Sequence, residues 1–261
     1  MYEDYKLLKT ERRGRVLVVT IDRPPLNASN RVVHKELSRI FFDIAKDDET
    51  NVVVLTGAGT AFCAGGDLNE MKKRMEDQTL WAEVMREARD IVLGIVTLDK
   101  PIIARVNGPA VGLGATIALL CDIIIAVDTA KIADTHVKIG LVAGDGGSIA
   151  WPLGVGLPKA KEYLLTGDPL TATEAARIGL INHALPADQL DARVYGLAER
   201  LATGSQQAIR GTKRAINMWM GNVSAVVDAH LGLETLTYQG RDHRIGVDAF
   251  LEKKQPQFST R

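Results

Sequence analysis

Short apolar runs, each closed by glycine, proline or a polar residue, recur through the first half of the chain. Their β-branched composition is typical of buried strands. The run Val-Leu-Val-Val-Thr-Ile, for example, stops before two prolines that cannot extend a central strand. On this basis we predict strands at residues 15–22, 51–56, 101–106, 122–127 and 131–133.

Between these strands the apolar positions change to helical spacing. Val33 and Leu37, for example, would share the apolar face of a helix over residues 30–45. The same spacing predicts one or two helices over residues 67–97, and a run of small apolar residues predicts a buried helix over 112–120.

Helical spacing dominates beyond about Gly156. Helices are predicted at residues 156–165, 171–178, 188–203, 205–219, 223–239 and 242–252. Strand–helix alternation followed by helices alone is typical of an α/β core with a helical C-terminal region. The sequence shows neither a low-complexity segment nor a fixed-period repeat.

The composition is that of an ordinary globular chain of 261 residues, long enough for one large core. Lys plus Arg and Asp plus Glu number 32 each, so the net charge gives no reason to expect a nucleic acid or an anionic membrane as partner. Cys63 and Cys121 form neither a disulfide framework nor a metal-ligand spacing, and no metal site is expected. The first six residues lack the apolar core of a secretory signal, so we expect a cytoplasmic protein.

Two glycine-rich segments each follow a predicted strand and open a predicted helix. They are Ala-Phe-Cys-Ala-Gly-Gly-Asp-Leu at 61–68 and Asn-Gly-Pro-Ala-Val-Gly-Leu-Gly-Ala at 107–115. Adjacent glycines allow a tight turn, and the free N–H groups of a helix start attract an anion or a developing oxyanion. Two such donors aimed at one oxygen form an oxyanion hole, in which one donor typically lowers a barrier by roughly 3–4 kcal/mol. For either segment alone, a plain connection or tight helix packing is the commoner explanation.

These segments and several others, in the same order and spacing, make the chain resemble the enoyl-CoA hydratase/isomerase (crotonase) family over nearly its full length. The matching pieces lie at residues 21–24, 26–28, 54–57, 62–68, 100–104, 107–112, 121–126, 172–182 and 250–254. Each piece alone is weak evidence for the family, and the resemblance is specific because the pieces occur together in this order and spacing.

The resemblance implies a spiral core of repeated ββα units in residues 1–195, holding an acyl-coenzyme A site. It implies a helical region in residues 196–261 that assembles a homotrimer or a dimer of trimers. The coenzyme A would be part of the substrate, with no separate cofactor. By motif match, the oxyanion donors are the backbone N–H groups of Gly66 and Leu113. Relatives often carry glycine in place of Leu113, a change that a backbone donor tolerates if the position does not need positive φ.

By the same match, the substrate-binding residues are Ala64, Asp67, Leu68, Met71, Gly112, Thr116 and Lys253. Asp67 is also placed to cap the helix that follows it. Met71, like Trp81 and Met75, falls in a region that relatives use for acyl contacts, with helical packing as the alternative for each. Lys253 matches a position that approaches the coenzyme A of a neighbouring subunit, and a solvated lysine is the alternative.

The chain departs from the family at two catalytic positions. Hydratases of the family resemble one another in two glutamates that handle water and the α-proton, and Thr116 and His136 stand in their places. Threonine cannot divide acid and base roles over one water, because the pKa of its hydroxyl lies far above neutrality. His136 can act as an acid or a base, or it is a hydrogen-bonded buried histidine. Asp145 matches, or lies next to, the position of a catalytic carboxylate in some relatives; the alternative is that it caps a helix. Asp145 and His136 could also form a hydrogen-bonded pair.

The sequence therefore predicts an acyl-coenzyme A enzyme that stabilises a thioester enolate while Asp145 and His136 move a proton. Hydration or double-bond isomerisation of an enoyl thioester is expected, and isomerisation survives the loss of the glutamates best because it needs a single base. The alternatives are decarboxylation or hydrolysis of a β-dicarbonyl thioester, and binding without catalysis.

Other functions and residues have weaker support. A dinucleotide oxidoreductase is disfavoured because residues 107–115 lack the required glycine spacing. Cys63 has no basic partner at a telling spacing that would make it a nucleophile. The remaining histidines, which are expected to be structural or exposed, are His34, His183, His230 and His243.

Overall fold

The computed structural model describes residues 1–220 and 223–258. The predicted C-terminal region of residues 196–261 therefore includes five residues, 221–222 and 259–261, that lie outside the described ones. The strands are β1 (Leu8–Arg13), β2 (Val16–Ile21), β3 (Val52–Gly57), β4 (Ile102–Val106), β5 (Ala110–Val111), β6 (Ile123–Val127), β7 (Lys131–Ala133), β8 (Leu170–Thr171) and β9 (His183–Leu185).

The larger sheet has the strand order β1-β2-β3-β4-β6-β9. β1 pairs antiparallel with β2, and every other pair in this sheet is parallel. All six residues of β3 are buried, as expected for a parallel strand covered on both faces, which explains why its sequence is continuously apolar.

A second, smaller sheet is built from short segments that follow strands of the larger sheet along the chain. β5 pairs parallel with β7, and β7 pairs antiparallel with β8. Two isolated parallel bridges, Ser29 to Gly66 and Cys63 to Ala110, extend this layer. Successive stretches of chain thus give a strand to the large sheet and a short segment to the small one, and then a helix. This arrangement confirms the predicted spiral of ββα units.

The helices pack against the sheets and form the C-terminal region. They are α1 (Arg31–Ala45), α2 (Leu68–Arg74), α3 (Gln78–Thr97), α4 (Leu113–Leu119), α5 (Gly147–Thr166), α6 (Ala172–Arg177), α7 (Ala187–Ala202), α8 (Gln206–Asn217), α9 (Val223–Tyr238) and α10 (Arg241–Leu251). A 3-10 helix spans His136–Ile139. In the part of the chain that the structure describes, no helix combines the length and apolarity needed to cross a membrane.

The structure corrects the sequence prediction in several places. α5 begins at Gly147, not at 156, and is broken at Gly156, where φ is 74° and ψ is 168°. β8 lies at the start of a predicted helix, β9 lies between two predicted helices, and β5 lies in the second glycine-rich segment, where no strand was predicted. Strands of two or three residues are too short to show a periodicity. β1 was missed because it is a mostly exposed, polar edge strand whose one buried residue is Leu8.

Two asparagines hold the loop that leads into the first glycine-rich turn. Asn27 is fully buried and donates to the carbonyls of Ala58 and Ala61, each at 2.8 Å. Asn107 donates to the carbonyls of Gly59 at 2.9 Å and Ala61 at 3.1 Å. The side chains of two successive turns of the spiral thereby fix the path of the chain between β3 and α2.

Replacing Asn107 with alanine is expected to lower the free energy of unfolding by about 1–3 kcal/mol, because the buried Gly57 N–H, which donates to Asn107 Oδ1 at 3.1 Å, loses its partner. Urea unfolding measures the change. Asn69 is exposed, and no hydrogen bond of its side chain is seen within residues 1–220 and 223–258. Asn69→Ala should therefore change the same free energy by less than about 0.5 kcal/mol. Equal losses in the two variants would contradict the role given to Asn107.

Candidate active site

The two glycine-rich turns pack directly against each other. The Val111 N–H donates to the Cys63 carbonyl at 2.9 Å, and the Cys63 N–H donates to the Pro109 carbonyl at 3.1 Å. Gly65 adopts a φ of 86°, and a Cβ at this position would lie 2.7 Å from the Val111 carbonyl oxygen. Glycine is therefore required at Gly65 both by its backbone angle and by the closeness of the neighbouring turn.

The backbone N–H groups of Gly66 and Leu113 are the donors that the sequence singled out. Their neighbours are bonded: the Asp67 N–H donates to the Ser29 carbonyl at 3.0 Å, and the Gly112 N–H donates to the Ala133 carbonyl at 2.9 Å. Across the described residues, neither the Gly66 N–H nor the Leu113 N–H has a hydrogen-bond acceptor.

Leu113 does not occupy a backbone conformation with positive φ, so its side chain is tolerated at this position. It is the first residue of α4, and the positive φ of 52° falls on Gly112 before it, not on Leu113. A leucine is thus compatible with a backbone donor at this place.

A cavity of about 1110 Å³ joins most of the predicted site residues. Gly66, Leu113, His136 and Asp145 line it together. So do five of the predicted substrate-binding residues, which are Ala64, Asp67, Leu68, Met71 and Gly112. The volume falls at or just above the upper end of the range typical of small-molecule and cofactor sites.

Two predicted substrate-binding residues are not among those that line this cavity. Thr116 is fully buried behind it, and its hydroxyl lies 3.4 Å from Asp145 Oδ1 in donating geometry. Lys253 is exposed, whereas the neighbouring Lys254 lines the cavity. Thr116 is thus placed to orient Asp145, and the predicted role of Lys253 towards a neighbouring subunit stays a prediction.

The first glycine-rich segment also carries the predicted helix cap. The Asp67 carboxylate accepts from the N–H groups of Asn69 at 3.0 Å and Glu70 at 3.2 Å. The same carboxylate pairs with Arg23 at 2.6 Å. Asp67 therefore fixes the start of α2 beside Gly66.

His136 is a buried imidazole held between two carboxylates. Its Nδ1 lies 2.7 Å from Asp134 Oδ1, and its Nε2 lies 3.4 Å from Asp145 Oδ2. Burial by itself lowers the pKa of His136, but the charges of Asp134 and Asp145 outweigh it and raise that pKa well above 6.5. The two carboxylates therefore favour the imidazolium form of His136.

Asp145 does not cap a helix. The residue that precedes α5 is Gly146, and no side chain caps that helix. Burial favours the neutral form of Asp145, yet the nearby His136 cation dominates and lowers the pKa of this carboxyl below 3.8. Asp145 is thus an ionised carboxylate on the cavity wall.

Glu234 of α9 is a site residue that the sequence analysis missed. It is 4% exposed, lines the same cavity, and its Oε2 has no hydrogen-bond partner in the described part of the chain. A Cβ at Gly144 would lie 2.9 Å from this oxygen, which places the carboxyl under the turn that carries Asp145. Burial, together with the negative charge of Asp145, raises the pKa of Glu234 well above 4.5. No local motif marks Glu234, because only the fold brings α9 to the turn before α5.

The wall beyond the first glycine-rich turn is apolar and aromatic. The rings of Trp81 and Tyr238 stack with centroids 3.4 Å apart. Trp81 Nε1 donates to Thr235 Oγ1 at 3.1 Å, and the Tyr238 hydroxyl donates to the Met71 carbonyl at 3.0 Å. Trp81 and Met71 thus both pack and line the cavity, whereas Met75 lines a smaller one beside it.

The remaining candidates differ in their distance from the site. His34 is buried, bonds Glu87 at 2.8 Å and lines the cavity, while His243 is buried against the Ile139 carbonyl. Burial raises the pKa of the Cys63 thiol to about 11, so it is not a thiolate at neutral pH.

Comparison with known proteins places this chain in a family. The sequence matches the family described as "Enoyl-CoA hydratase/isomerase" over residues 11–261. It is 32% identical over 252 residues to a probable mitochondrial enoyl-CoA hydratase of Dictyostelium discoideum, covering 95% of this chain and 88% of that protein. It is 36% identical over 251 residues to the 1,2-epoxyphenylacetyl-CoA isomerase of Escherichia coli (strain K12), covering 94% and 95%. The crystal structure of an enoyl-CoA hydratase/isomerase from Mycobacterium paratuberculosis superposes with a TM-score of 0.90 at 38% identity, covering 94% of this chain and 99% of that one.

The ring of His136 is expected to hold its proton to a pH well above 6.5, because Asp134 and Asp145 stabilise the cation. Asp134→Asn should lower this pKa, and Asp145→Asn should lower it by less, since the Asp134 charge has the larger effect. NMR titration of the histidine ring protons measures both. Since the pKa is raised in the folded state, the pairing stabilises the fold below pH 6.5 and ceases to do so as the pH rises through the folded-state pKa.

His230 provides the internal control for this titration. Burial lowers the pKa of His230 below 6.5, with no carboxylate contributing to the shift. Its midpoint should stay below 6.5 in all three proteins. A His136 midpoint at or below 6.5 in the unmodified protein would contradict the charge state assigned to the site.

Proposed function

Because the chain belongs to the enoyl-CoA hydratase/isomerase family, we propose that it moves a proton on an enoyl-coenzyme A thioester whose oxygen is held by two backbone N–H groups. Members of this family are enzymes, and this chain is one of them. One observation supports the proposal above all: the unbonded N–H groups of Gly66 and Leu113 line the same cavity as the His136–Asp145 pair.

The charges of the site suit this chemistry. With His136 protonated and Asp145 ionised, the pair carries no net charge. Transfer of a substrate proton to Asp145 neutralises that carboxylate and leaves a negative thioester oxygen, so the net charge does not change. The negative charge moves to the thioester oxygen, beside the N–H donors. Because these donors are already in place, they stabilise the charge without reorganising.

The imidazolium adds to this stabilisation. A Cβ at Gly112 would lie 3.7 Å from His136 Cε1, so the ring is a close neighbour of the residue before Leu113. A cation there favours the enolate over the neutral thioester. His136 thus acts by its charge, and Asp145 acts as the base.

Double-bond isomerisation fits these residues best. Asp145 would take a proton from the carbon next to the double bond, and the electron pair would move through the conjugated chain onto the thioester oxygen. The enolate would then recover the same proton from Asp145 at a different carbon, which shifts the double bond. A single base performs both steps, so glutamates at the Thr116 and His136 positions are not required.

Hydration is the second candidate, and the position of Glu234 favours it. Asp145 and Glu234 line one cavity with pKa values shifted in opposite directions, which favours the ionised form of Asp145 and the protonated form of Glu234. Such a pair can take a proton from water and give one to the α-carbon.

The proposed reactions need neither a metal nor a separate cofactor, since coenzyme A belongs to the substrate. We further propose that residues 196–261 assemble the trimer or dimer of trimers that the resemblance implies.

Asp145→Asn is expected to reduce kcat for an enoyl-coenzyme A substrate by about 10²–10⁴-fold, the usual contribution of a general base. Binding of the thioester, measured by calorimetry, should persist because the N–H donors are untouched. Asp188→Asn, at an exposed position on α7, is the matched control and should retain full activity. Full activity in Asp145→Asn would rule out this base, and binding without turnover in the unmodified protein would indicate a non-catalytic binder.

Mass spectrometry of the product separates the two reactions. Isomerisation leaves the mass unchanged and moves the double bond, whereas hydration adds one water. Glu234→Gln, which keeps the shape but removes the acidic proton, should leave isomerisation nearly unchanged and reduce any hydration by about 10²–10⁴-fold. Hydration at full rate in Glu234→Gln would exclude Glu234 as the acid.

A further inference from the structure

Arg74, the last residue of α2, is a buried cation without a bonded partner. It is 5% exposed, and its Nε and Nη2 atoms make no hydrogen bond within residues 1–220 and 223–258. A guanidinium carries five donors and stays charged in proteins, so its burial without a partner is costly. Burial lowers the pKa of Arg74, which expresses the same cost.

The carboxylates near Arg74 are bound to other cations. Glu70 pairs with Lys73 at 3.0 Å. Glu87 bonds His34 at 2.8 Å and also pairs with Arg31. Neither carboxylate forms an ion pair with Arg74 in the described structure, so this cation lacks the counter-ion that buried charges normally have.

Arg74 lies on the wall that the two cavities share. It lines the main cavity together with Gly66 and Leu113, and also a smaller cavity of about 230 Å³. Trp81 and Tyr238 line both cavities as well. α2 starts beside Gly66 and ends at Arg74, and a helical rise of 1.5 Å per residue separates the two ends by about 10 Å. A molecule held at the N–H donors can therefore reach Arg74 with a chain of several carbons.

We infer that Arg74 binds a carboxylate at the far end of the acyl group, so that the preferred substrates are coenzyme A thioesters of dicarboxylic acids. The inference rests on the proposed function, which places the thioester carbonyl at Gly66 and Leu113. The apolar side chains of Met71, Trp81 and Tyr238 would contact the methylene chain. The planar guanidinium would then receive a bidentate partner, the geometry in which arginine binds carboxylates most strongly.

The phosphates of coenzyme A suit Arg74 less well. They are strongly hydrated and need an open, cationic rim. Lys138 and Lys254 line the main cavity with side chains 46% and 71% exposed, whereas Arg74 is 5% exposed. The exposed lysines are therefore better placed to bind the phosphates. The buried arginine is better placed to bind a single anionic group at the end of an apolar chain.

The test compares enoyl-coenzyme A thioesters that end in a carboxylate with their ω-methyl esters, over several chain lengths. In the unmodified protein, kcat/KM for the best carboxylate should exceed that for its ester. Arg74→Met should reduce kcat/KM for the carboxylate by about 10–100-fold, the loss expected for hydrogen bonds to a charged group, and leave the ester nearly unchanged. Arg74→Lys keeps the positive charge but loses the planar, bidentate donor geometry of the guanidinium. Its kcat/KM for the carboxylate should therefore lie between those of the unmodified protein and Arg74→Met.

Lys73→Met is the matched control. Lys73 is a cation on the same helix, with a side chain 72% exposed, and its loss should not change the ratio between carboxylate and ester. Thermal unfolding without ligand shows whether each variant folds. Arg74→Met should unfold at or above the temperature of the unmodified protein, because it removes an unpaired buried charge.

Three results separate the inference from the proposed function. Equal weakening of all thioesters and of free coenzyme A in Arg74→Met would show that Arg74 binds the coenzyme and would overturn the inference. Equal kcat/KM for carboxylate and ester in the unmodified protein would overturn it too. If no thioester is turned over but carboxylate-ended ones bind more tightly in calorimetry, and only with Arg74 present, the proposed function fails and the carboxylate site stands.

Discussion

The close packing of two backbone turns is the constraint on which the rest of the site depends. Gly65 can approach the Val111 carbonyl only because it lacks a Cβ and adopts positive φ. The parallel bridge between Cys63 and Ala110 then joins successive turns of the spiral in the small sheet. Since each turn ends at the start of a helix, the same packing leaves one N–H free on each, at Gly66 and at Leu113. The spiral thus creates a pair of donors without assigning any side chain to that task.

Ionisable side chains from three segments surround this backbone frame. His136 lies shortly after β7, Asp145 lies shortly before α5, and Glu234 lies on α9. The protonated His136 lowers the pKa of the adjacent Asp145, while burial raises that of Glu234. Two carboxyl groups in one cavity therefore have pKa values shifted in opposite directions, which is the pattern expected of separate base and acid roles. The chain lacks glutamates at the Thr116 and His136 positions and nevertheless retains groups that can accept and donate a proton.

The sequence predicts those parts of the molecule whose causes are local. Periodicity locates the long strands and most helices, and Asp67 is recognisable as a cap because its effect falls on the next three residues. β8 and β9 escape prediction because two or three residues form a strand only through their partners. Glu234 and Arg74 escape it for a related reason: each resembles an ordinary charged residue on a helix until packing buries it. The prediction of His136 and Asp145 depended on the family resemblance, since neither stands in a motif that would identify it alone.

Under the two proposals, reaction and acyl selectivity depend on different parts of the cavity. The proposed oxyanion donors belong to the spiral, whereas the proposed acyl-binding wall consists of Arg74, Trp81 and Tyr238 on α2, α3 and α9. A substitution on that wall is expected to alter which acyl group fits without moving the N–H of Gly66 or Leu113, because the turns are fixed by backbone hydrogen bonds. Glu234 and Tyr238 share one helix, so a shift of α9 would change the acid and the acyl wall together. Residues of the predicted assembly region therefore complete the cavity, and any contact between subunits that positions α9 would act on both.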